Sequence, residues 1–476
     1  MKWTQTTGPE RDAELLGPFE EYLRNRGHEC FNDSSCITVA RAPARIDLMG
    51  GIADYSGSVV FEGTLGRSAV VGIQRSAADT LSVRSTWLEQ LGKNSEVSVE
   101  LNELRRALRN GGYDAVSDML TGSSVDSWAA YLIGAIPVLE REEGLQLDSG
   151  LNMLLWSDIP VGVGVASSAA IEVATMYAVA GATEMEIGGT ALGELAQMVE
   201  NRIVGAPCGV MDQVTSALGR EDELLALRCQ PCDLMGYHSL PENVQVYGIS
   251  SQVEHSVGGD PYTKARISAF MGLKIILDIK TKRGESTGAE DQYLCNVTPS
   301  EYVENYRTEL PDQMRGEDFL DQFGATTDPV TEVDPSITYN VRAGTEHPIY
   351  ENYRVQRFID CLKRARSGDR TALVEAGGMM YASHASYDWN CGLGCPETDL
   401  LVDLVRARGP NEGLYGAKVT GGGSGGTVAI LADRGSDDLI GNVANDYANE
   451  TSLTPDIFRS TTPGACQFGH RVYRPE

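Results

Sequence analysis

The chain contains no apolar run near the ~20 residues that a bilayer-spanning helix requires, so no membrane partner is expected. Basic residues are scarce: 39 Lys and Arg stand against 67 Asp and Glu, a net charge of −28. Such a surface repels a phosphate backbone, and nucleic acid is not an expected partner. The acidity reads as a solvated, solubilising surface or as adaptation to salt. The ten cysteines form no framework. Cys229-Gln230-Pro231-Cys232 is a lone CxxC without a second pair or a histidine cluster at ligand spacing, so reduced structural thiols are expected. Met1-Lys2-Trp3-Thr4 lacks the basic-then-apolar order of a secretory signal. Together these features predict a cytoplasmic location. No internal repeat or low-complexity tract is present. What the chain does have is length: 476 residues at 42% hydrophobic content suit two or three domains with a sizeable core.

Glycine is where the chemistry gathers. Leu151 to Trp156 reads as a buried strand and Ile171 to Ala180 as a helix. Between them runs Pro160-Val161-Gly162-Val163-Gly164-Val165-Ala166-Ser167-Ser168-Ala169-Ala170. Gly162 and Gly164 allow backbone approaches that side chains forbid. Free amides at a helix start, with the helix dipole, favour an anion, and two hydroxyls stand beside them. The loop is suited to phosphate, although no Gly-Lys-Ser/Thr follows as in a Walker loop. A tight turn with a serine cap is the plainer alternative.

Asp12 to Arg26 has helical spacing of Leu15, Leu16, Phe19, Tyr22 and Leu23 and predicts a packing helix. A strand from Ile37 then enters Arg41-Ala42-Pro43-Ala44-Arg45-Ile46-Asp47-Leu48-Met49-Gly50-Gly51-Ile52-Ala53-Asp54-Tyr55. Arg45 and Asp54 flank the glycine turn, either as a surface salt bridge or as a clamp for a polar ligand. Residues 95–125, polar and glycine-bearing, are a candidate lid or excursion, and Ser127 to Leu139 is helical in pattern. Thr190 to Val204 is a clear helix with Glu200 at the edge of its apolar stripe. A buried carboxylate needs a cation or a salt bridge. Gly205-Ala206-Pro207-Cys208-Gly209-Val210-Met211-Asp212-Gln213 breaks that helix and presents Asp212 at the next helix start, as a cap or as a base in a cleft. Ser250 to Phe270, with His255-Ser256-Val257-Gly258-Gly259 and Tyr262, reads as a turn and a helix. Residues 280–335 are polar and read as an inserted or loosely packed segment. Tyr350 to Leu362 and Ala372 to Tyr381 look helical. Near the end, Gly421, Gly422, Gly423, Gly425 and Gly426 crowd a connection between two apolar runs. A backbone that approaches a ligand explains them better than a hairpin turn does.

In this order and spacing, Arg41 to Tyr55, Pro160 to Ala170 and Lys418 to Thr427 resemble the three signature motifs of the GHMP kinases, the galactokinase, homoserine kinase, mevalonate kinase and phosphomevalonate kinase superfamily. Pro207 to Gln213, Ser383-His384 and Cys395-Pro396-Glu397 resemble its galactokinase branch. Within that branch Met49 to Gly57 and His347 to Asn352 look like the L-arabinokinase type, with Gly51-Ile52 where galactokinases place Glu-His. The resemblance covers residues 37 to 470.

The resemblance implies a two-domain α/β (α+β) fold: a ribosomal-protein-S5-like N-terminal domain over 37–235 after a helical extension over 1–36, and a ferredoxin-like C-terminal domain over 236–476, with the active site between them. It implies transfer of the γ-phosphoryl of ATP to the anomeric hydroxyl of a monosaccharide, with L-arabinose preferred and D-galactose the alternative, by a monomer or weak homodimer. ATP phosphates are expected on Pro160, Gly162, Gly164, Ala166, Ser167, Ser168 and Ala169. Mg²⁺ is expected on Ser168 and Glu200. Asp212 takes or orients the sugar proton beside Arg45. Gly51, Ile52, Asp54, Gly209, Tyr262, Gly421, Gly422 and Gly423 are expected around the sugar. A catalytically inactive sugar sensor of the same branch is a further alternative; Ser168-Ala169, Glu200 and Asp212 all stand intact against it.

Overall fold

A computed structural model describes residues 3–5, 13–122, 127–254 and 260–475. The segment His255 to Gly259 lies outside the described residues.

Two large sheets organise the described residues, beside a small pair of two-residue strands at Met314–Arg315 and Thr338–Tyr339. The first contains β1 (Trp3–Gln5), β2 (Ile37–Met49), β3 (Val59–Arg75), β4 (Thr80–Ser85), β5 (Glu96–Glu100), β6 (Leu151–Ser157), β7 (Glu223–Arg228), β8 (Asp233–Ser239) and, from the other end of the chain, a last strand at Arg471–Pro475. The order runs β1, the last strand, β2, β3, β6, β4, β5, with β7 and β8 branching from β3. The 17-residue β3 makes the branch: its first residues pair with β7 and Ala69 to Arg75 pair with β6. Among the described residues only β4 and β6 run parallel. β2 is buried along its whole length. It therefore carries Arg41, Arg45 and Asp47 into the interior, where each charge must find a partner.

The second sheet is built from β9 (Val244–Ser250), β10 (Leu414–Val419), β11 (Thr427–Asp433) and β12 (Ile457–Phe458), in the order β10-β11-β9-β12, all antiparallel. Helices separate β9 from β10 and β11 from β12, the β-α-β-β-α-β order of a ferredoxin-like layer. Alternation along β11 divides its faces. Val428 and Ile430 pack with Leu401, Val405, Val443 and Tyr447 of two covering helices. Ala429 and Leu431 join Ile46 and Leu48 in the core shared with the first sheet. The strand Arg471–Pro475 (β13) then returns to the edge of β2. The boundary expected near 235 falls inside β8, and the first sheet regains chain after 470.

The helices that matter to the site are α1 (Ala13–Arg26), α2 (Leu101–Thr121), α3 (Ala135–Glu142), α4 (Ser167–Ala182), α5 (Gly189–Val199), α6 (Met211–Leu218), α7 (Asp260–Lys282), α8 (Val341–Arg366) and α9 (Thr371–Trp389). Two expectations are corrected. Residues 95–122 are no lid, and 123–125 lie outside the described residues: β5 adds to the sheet and α2, kinked at Gly112, buries Leu101, Leu104, Val116 and Leu120. Its charges form the outer face of an amphipathic helix. Nor is 280–335 loosely packed. Short helical turns bury Leu294, Tyr302, Leu310 and Phe319 in a core with α7, α8 and Ile52. All ten cysteines are free thiols, and Cys229 and Cys232 are buried. No helix among the described residues is long and apolar enough to cross a membrane.

Candidate active site

The end of β2 and the turn after it supply the first wall. Arg45, 3% exposed, grips Asp212 with both arms: Nε donates to Oδ1 at 2.8 Å and Nη2 to Oδ2 at 2.9 Å. Its third nitrogen, Nη1, donates to the Gly164 carbonyl at 2.8 Å. Burial opposes the guanidinium charge, but Asp212, Glu62 and Asp47 together hold it protonated. Asp212 lies in the first turn of α6, and its side chain caps nothing there. The cap alternative is thereby replaced by a two-armed ion pair, which fixes the carboxylate plane while one-fifth of the side chain stays exposed. Arg45 does not pair with Asp54, so the surface salt bridge is not formed. Asp54 is 3% exposed and accepts the Tyr55 amide at 2.7 Å. Burial, and then the charge of Asp212, pushes its carboxyl up to about 7. A Cβ on Gly209 would stand 1.7 Å from Asp54 Oδ2, so only glycine leaves that carboxylate in place.

The second wall is the loop before α4. Gly162, Gly164 and Ala166 all have positive φ, and for Ala166 that conformation carries a strain of about 1–3 kcal/mol. The loop carbonyls are held from outside: Val163 by the Thr427 hydroxyl at 2.7 Å, Gly164 by Arg45 Nη1, Val165 by the Arg45 amide at 3.1 Å. Ala166 sits at the N-cap position of α4 and has no side chain that could cap it. The first amides of a 16-residue helix therefore point outward without a side-chain acceptor, next to the Ser167 and Ser168 hydroxyls.

Glu200 begins a π-helical turn, Glu200–Val204, that ends α5. Such turns recur at functional sites because they re-aim one side chain. Glu200 is 4% exposed and burial raises its carboxyl to about 7, against a hydrogen bond with Ser168 that lowers it. Its Oε2 accepts from Gln213 Nε2 at 2.6 Å and from Cys208 Sγ at 3.5 Å. The same Gln213 amide reaches Glu172 of α4 at 3.1 Å. Burial, and then Glu200, pushes the Glu172 carboxyl well above its usual range.

The glycine loop between β10 and β11 is the third wall. Lys418 Nζ lies 2.6 Å from Asp47 Oδ2, and neither side chain is exposed. Asp47 also accepts the Gly51 amide at 3.2 Å and the Gly421 amide at 3.3 Å. The Tyr387 hydroxyl from α9 donates to the Gly421 carbonyl at 2.8 Å and accepts the Ile52 amide at 3.2 Å. The first and third loops are thus fastened to each other.

The three walls enclose a cavity of about 310 Å³. Of the residues expected at the site, Arg45, Gly51, Ile52, Asp54, Gly162, Gly164, Ala166, Ser167, Ser168, Glu200, Gly209, Asp212, Tyr262, Gly421 and Gly422 line it, whereas Pro160, Ala169 and Gly423 flank it. Tyr262, 6% exposed on α7, meets Tyr55 edge to face with ring centres 6.2 Å apart. Among the described residues no three His, Cys, Asp or Glu side chains cluster as a closed metal site. A serine hydroxyl and one carboxylate beside an anion-binding helix start do suit a cation that keeps its waters and takes oxygens from a phosphate ligand.

Residues 130–220 match the GHMP kinases N-terminal domain, and residues 369–449 match the GHMP kinases C-terminal domain. The chain belongs to the GHMP kinases. Similar to this GHMP kinase is the L-arabinokinase of Arabidopsis thaliana, 37% identical over 92% of the chain; the chain spans only 47% of that protein's length. A galactokinase of Streptomyces coelicolor is 28% identical over 88% of the chain and 91% of its own length. The crystal structure of Lactococcus lactis galactokinase complexed with galactose shares the fold, with a TM-score of 0.71 at 18% identity over 96% of this chain and 99% of that one.

Sequence reasoning missed several members of this GHMP kinase site. Tyr131 and Met211 line the cavity. Gln213 and Glu172 set Glu200, and Glu172 carried a signal, being a lone acid in an otherwise apolar helix. Arg266 of α7 is another: it pairs with Asp328 through two bonds of 2.7 and 2.8 Å and lies 5.2 Å from the Tyr55 ring. Asp328 belongs to the polar segment 280–335, which therefore buttresses the site from behind.

Proposed function

We propose that this GHMP kinase transfers the γ-phosphoryl of ATP to the anomeric hydroxyl of a free monosaccharide, with L-arabinose preferred. One observation carries the reading: the carboxylate of Asp212, fixed in orientation by Arg45, faces the same cavity as the uncapped start of α4 and the buried carboxyl of Asp54. A base, a phosphate cradle and a hydroxyl acceptor share one enclosure.

The residue chemistry gives the order of events. The amides and hydroxyls of Ser167 and Ser168 receive the phosphates. Asp54 and Tyr262 accept and donate hydrogen bonds to ring hydroxyls. Asp212 takes the anomeric proton as that oxygen forms its bond to the γ-phosphorus. The bond to the β–γ bridging oxygen breaks and ADP leaves. Arg45 holds the Asp212 carboxyl in its orientation and faces the charge on the transferring group; such transfer depends mostly on positioning and electrostatics. Ser168 and Glu200 are the residues that would hold Mg²⁺, which when bound would neutralise phosphate charge.

The preference for a pentose rests on Gly51 and Ile52, which offer no polar side chain at the corner of the sugar site, and on the similarity to L-arabinokinase. L-Arabinose has hydrogen where D-galactose carries a hydroxymethyl group. A hydroxyl buried against Ile52 loses water without gaining a partner, at about 1–3 kcal/mol. An apolar pocket rejects one small group only about 10–200-fold, so galactose turnover is the second reading, supported by the similar galactokinases. The test is ADP release measured over a panel of free pentoses and hexoses. A kcat/KM higher for galactose than for L-arabinose defeats the pentose reading, and no release with any sugar defeats the kinase.

A further inference from the structure

We propose that Tyr387, a residue that does not touch the cavity, is the positioning residue that sets which sugar the cavity accepts. The inference rests on the reading of the cavity as a sugar site.

The hydroxyl of Tyr387 is a single atom behind two walls. It accepts the Ile52 amide at 3.2 Å and donates to the Gly421 carbonyl at 2.8 Å. Gly51, Ile52 and Gly421 all line the cavity, whereas Tyr387 is wholly buried. The hydroxyl oxygen stands 1.6 Å from where a Cβ on Gly51 would be, and the ring carbon bearing it stands at 2.9 Å. Position 51 can therefore carry no side chain while Tyr387 is present. The corner that a longer polar residue would fill from the front is filled by a phenol from behind.

The phenol cannot drift out of the way. Its ring meets His347 edge to face, with centres 5.4 Å apart and planes at 89°. Lys418 Nζ lies 5.3 Å from the ring centre. On a third side, a Cβ on Gly423 would come within 2.9 Å of Tyr387 Cδ1. With the ring locked and both hydrogen bonds made, the Gly51-Ile52 wall and the Gly421 wall hold a fixed separation. A fixed, apolar corner selects by size. It admits a pentose closely and forces a hexose either to bury its hydroxymethyl group unpaired or to push the walls apart.

Tyr387→Phe removes the oxygen and keeps the ring. The expected result is a rise in KM for L-arabinose of about tenfold, the order of the two hydrogen bonds lost between the two loops, with a smaller change for galactose and none beyond twofold in KM for ATP. The arabinose-to-galactose ratio of kcat/KM narrows at least fivefold. Gly51→Ala alone collides with the hydroxyl and loses arabinose turnover. Adding Tyr387→Leu to Gly51→Ala restores part of that turnover, because the obstruction is gone. An unchanged sugar ratio in Tyr387→Phe, or equal losses for both sugars and ATP, overturns the inference. So does a double variant no better than Gly51→Ala. In each case a wild-type enzyme that still turns over free sugar leaves the kinase reading standing. A wild type inactive on every sugar ends both.

Discussion

The pair Asp47–Lys418 is the severest test of how this site is assembled. Its partners lie 371 positions apart, 2.6 Å from each other, with neither side chain exposed. Lys418→Met removes the ammonium at similar volume. Asp47 is then left with the amides of Gly51 and Gly421 at 3.2 and 3.3 Å, at the long end of useful hydrogen bonding, and with the more distant charge of Arg45. Breaking one partner of a buried pair costs about 3–5 kcal/mol, because the remaining charge loses its direct counter-charge. Asp47→Asn strands the lysine at a similar cost. Removing both charges leaves an amide beside a thioether, and replacement of both partners is often close to neutral. The double variant should therefore be more stable than either single one, with a coupling of at least about 2 kcal/mol. Urea unfolding of the four proteins at one pH measures it. Because Asp47 anchors Gly51 and Gly421, both single variants should also raise the sugar KM. Additive losses in the double variant, or single losses below about 1 kcal/mol, would refute the claim that this buried pair fastens the two loops.

Three further outcomes are expected. Asp212→Ala should lower kcat by about 10²–10⁴ while ATP affinity, measured by calorimetry, stays near that of the wild type; retention of turnover reassigns the base. Glu200→Gln should weaken Mg²⁺ binding, seen as a right-shifted metal titration of activity with an unaltered sugar KM. For Asp54 the sign is set by its raised carboxyl. Between its unfolded value near 4 and its folded value of about 7, the folded state holds a proton that the unfolded state has lost. Its contribution to stability is therefore present at low pH, declines as pH rises through that window and levels off above it, by about 4 kcal/mol in total. Melting curves of wild type minus Asp54→Asn, collected from pH 4 to 8 without ligand, should show that decline, and a flat difference would contradict it.

The glycine loops, Arg45, Glu200 and Asp212 were legible because each sits where a strand or helix pattern breaks, and a broken pattern is a local signal. The partners that hold them were not. Lys418 lies inside the apolar run that became β10, and nothing local marks it as the counter-charge of Asp47. Tyr387 lies beyond the stretch Ala372 to Tyr381 that reads as helical, and nothing local marked it, although the helix runs on to Trp389. The segment 280–335 defeated periodicity for a different reason. Its turns each bury only one or two anchors, such as Leu294 or Phe319, too few for any window to detect. The ferredoxin-like order was legible only through the resemblance, since β12 has two residues. The error at residues 95–122 came from reading a polar, glycine-bearing stretch as a lid, when its charges marked the outer face of α2.

The return of β13 to β2 has a bearing on synthesis. β2 carries Arg41, Arg45 and Asp47, and Arg41 is satisfied by the Thr462 hydroxyl and the Pro463 carbonyl. Until those residues leave the ribosome, one edge of β2 is bare and a buried guanidinium lacks these acceptors. The wait spans roughly 420 residues, about 20–85 s at ordinary elongation rates. An open strand edge for that time is a template for pairing with another nascent chain. The strand that bears Arg45 thus keeps one edge unpaired until the last residues of the chain have been made.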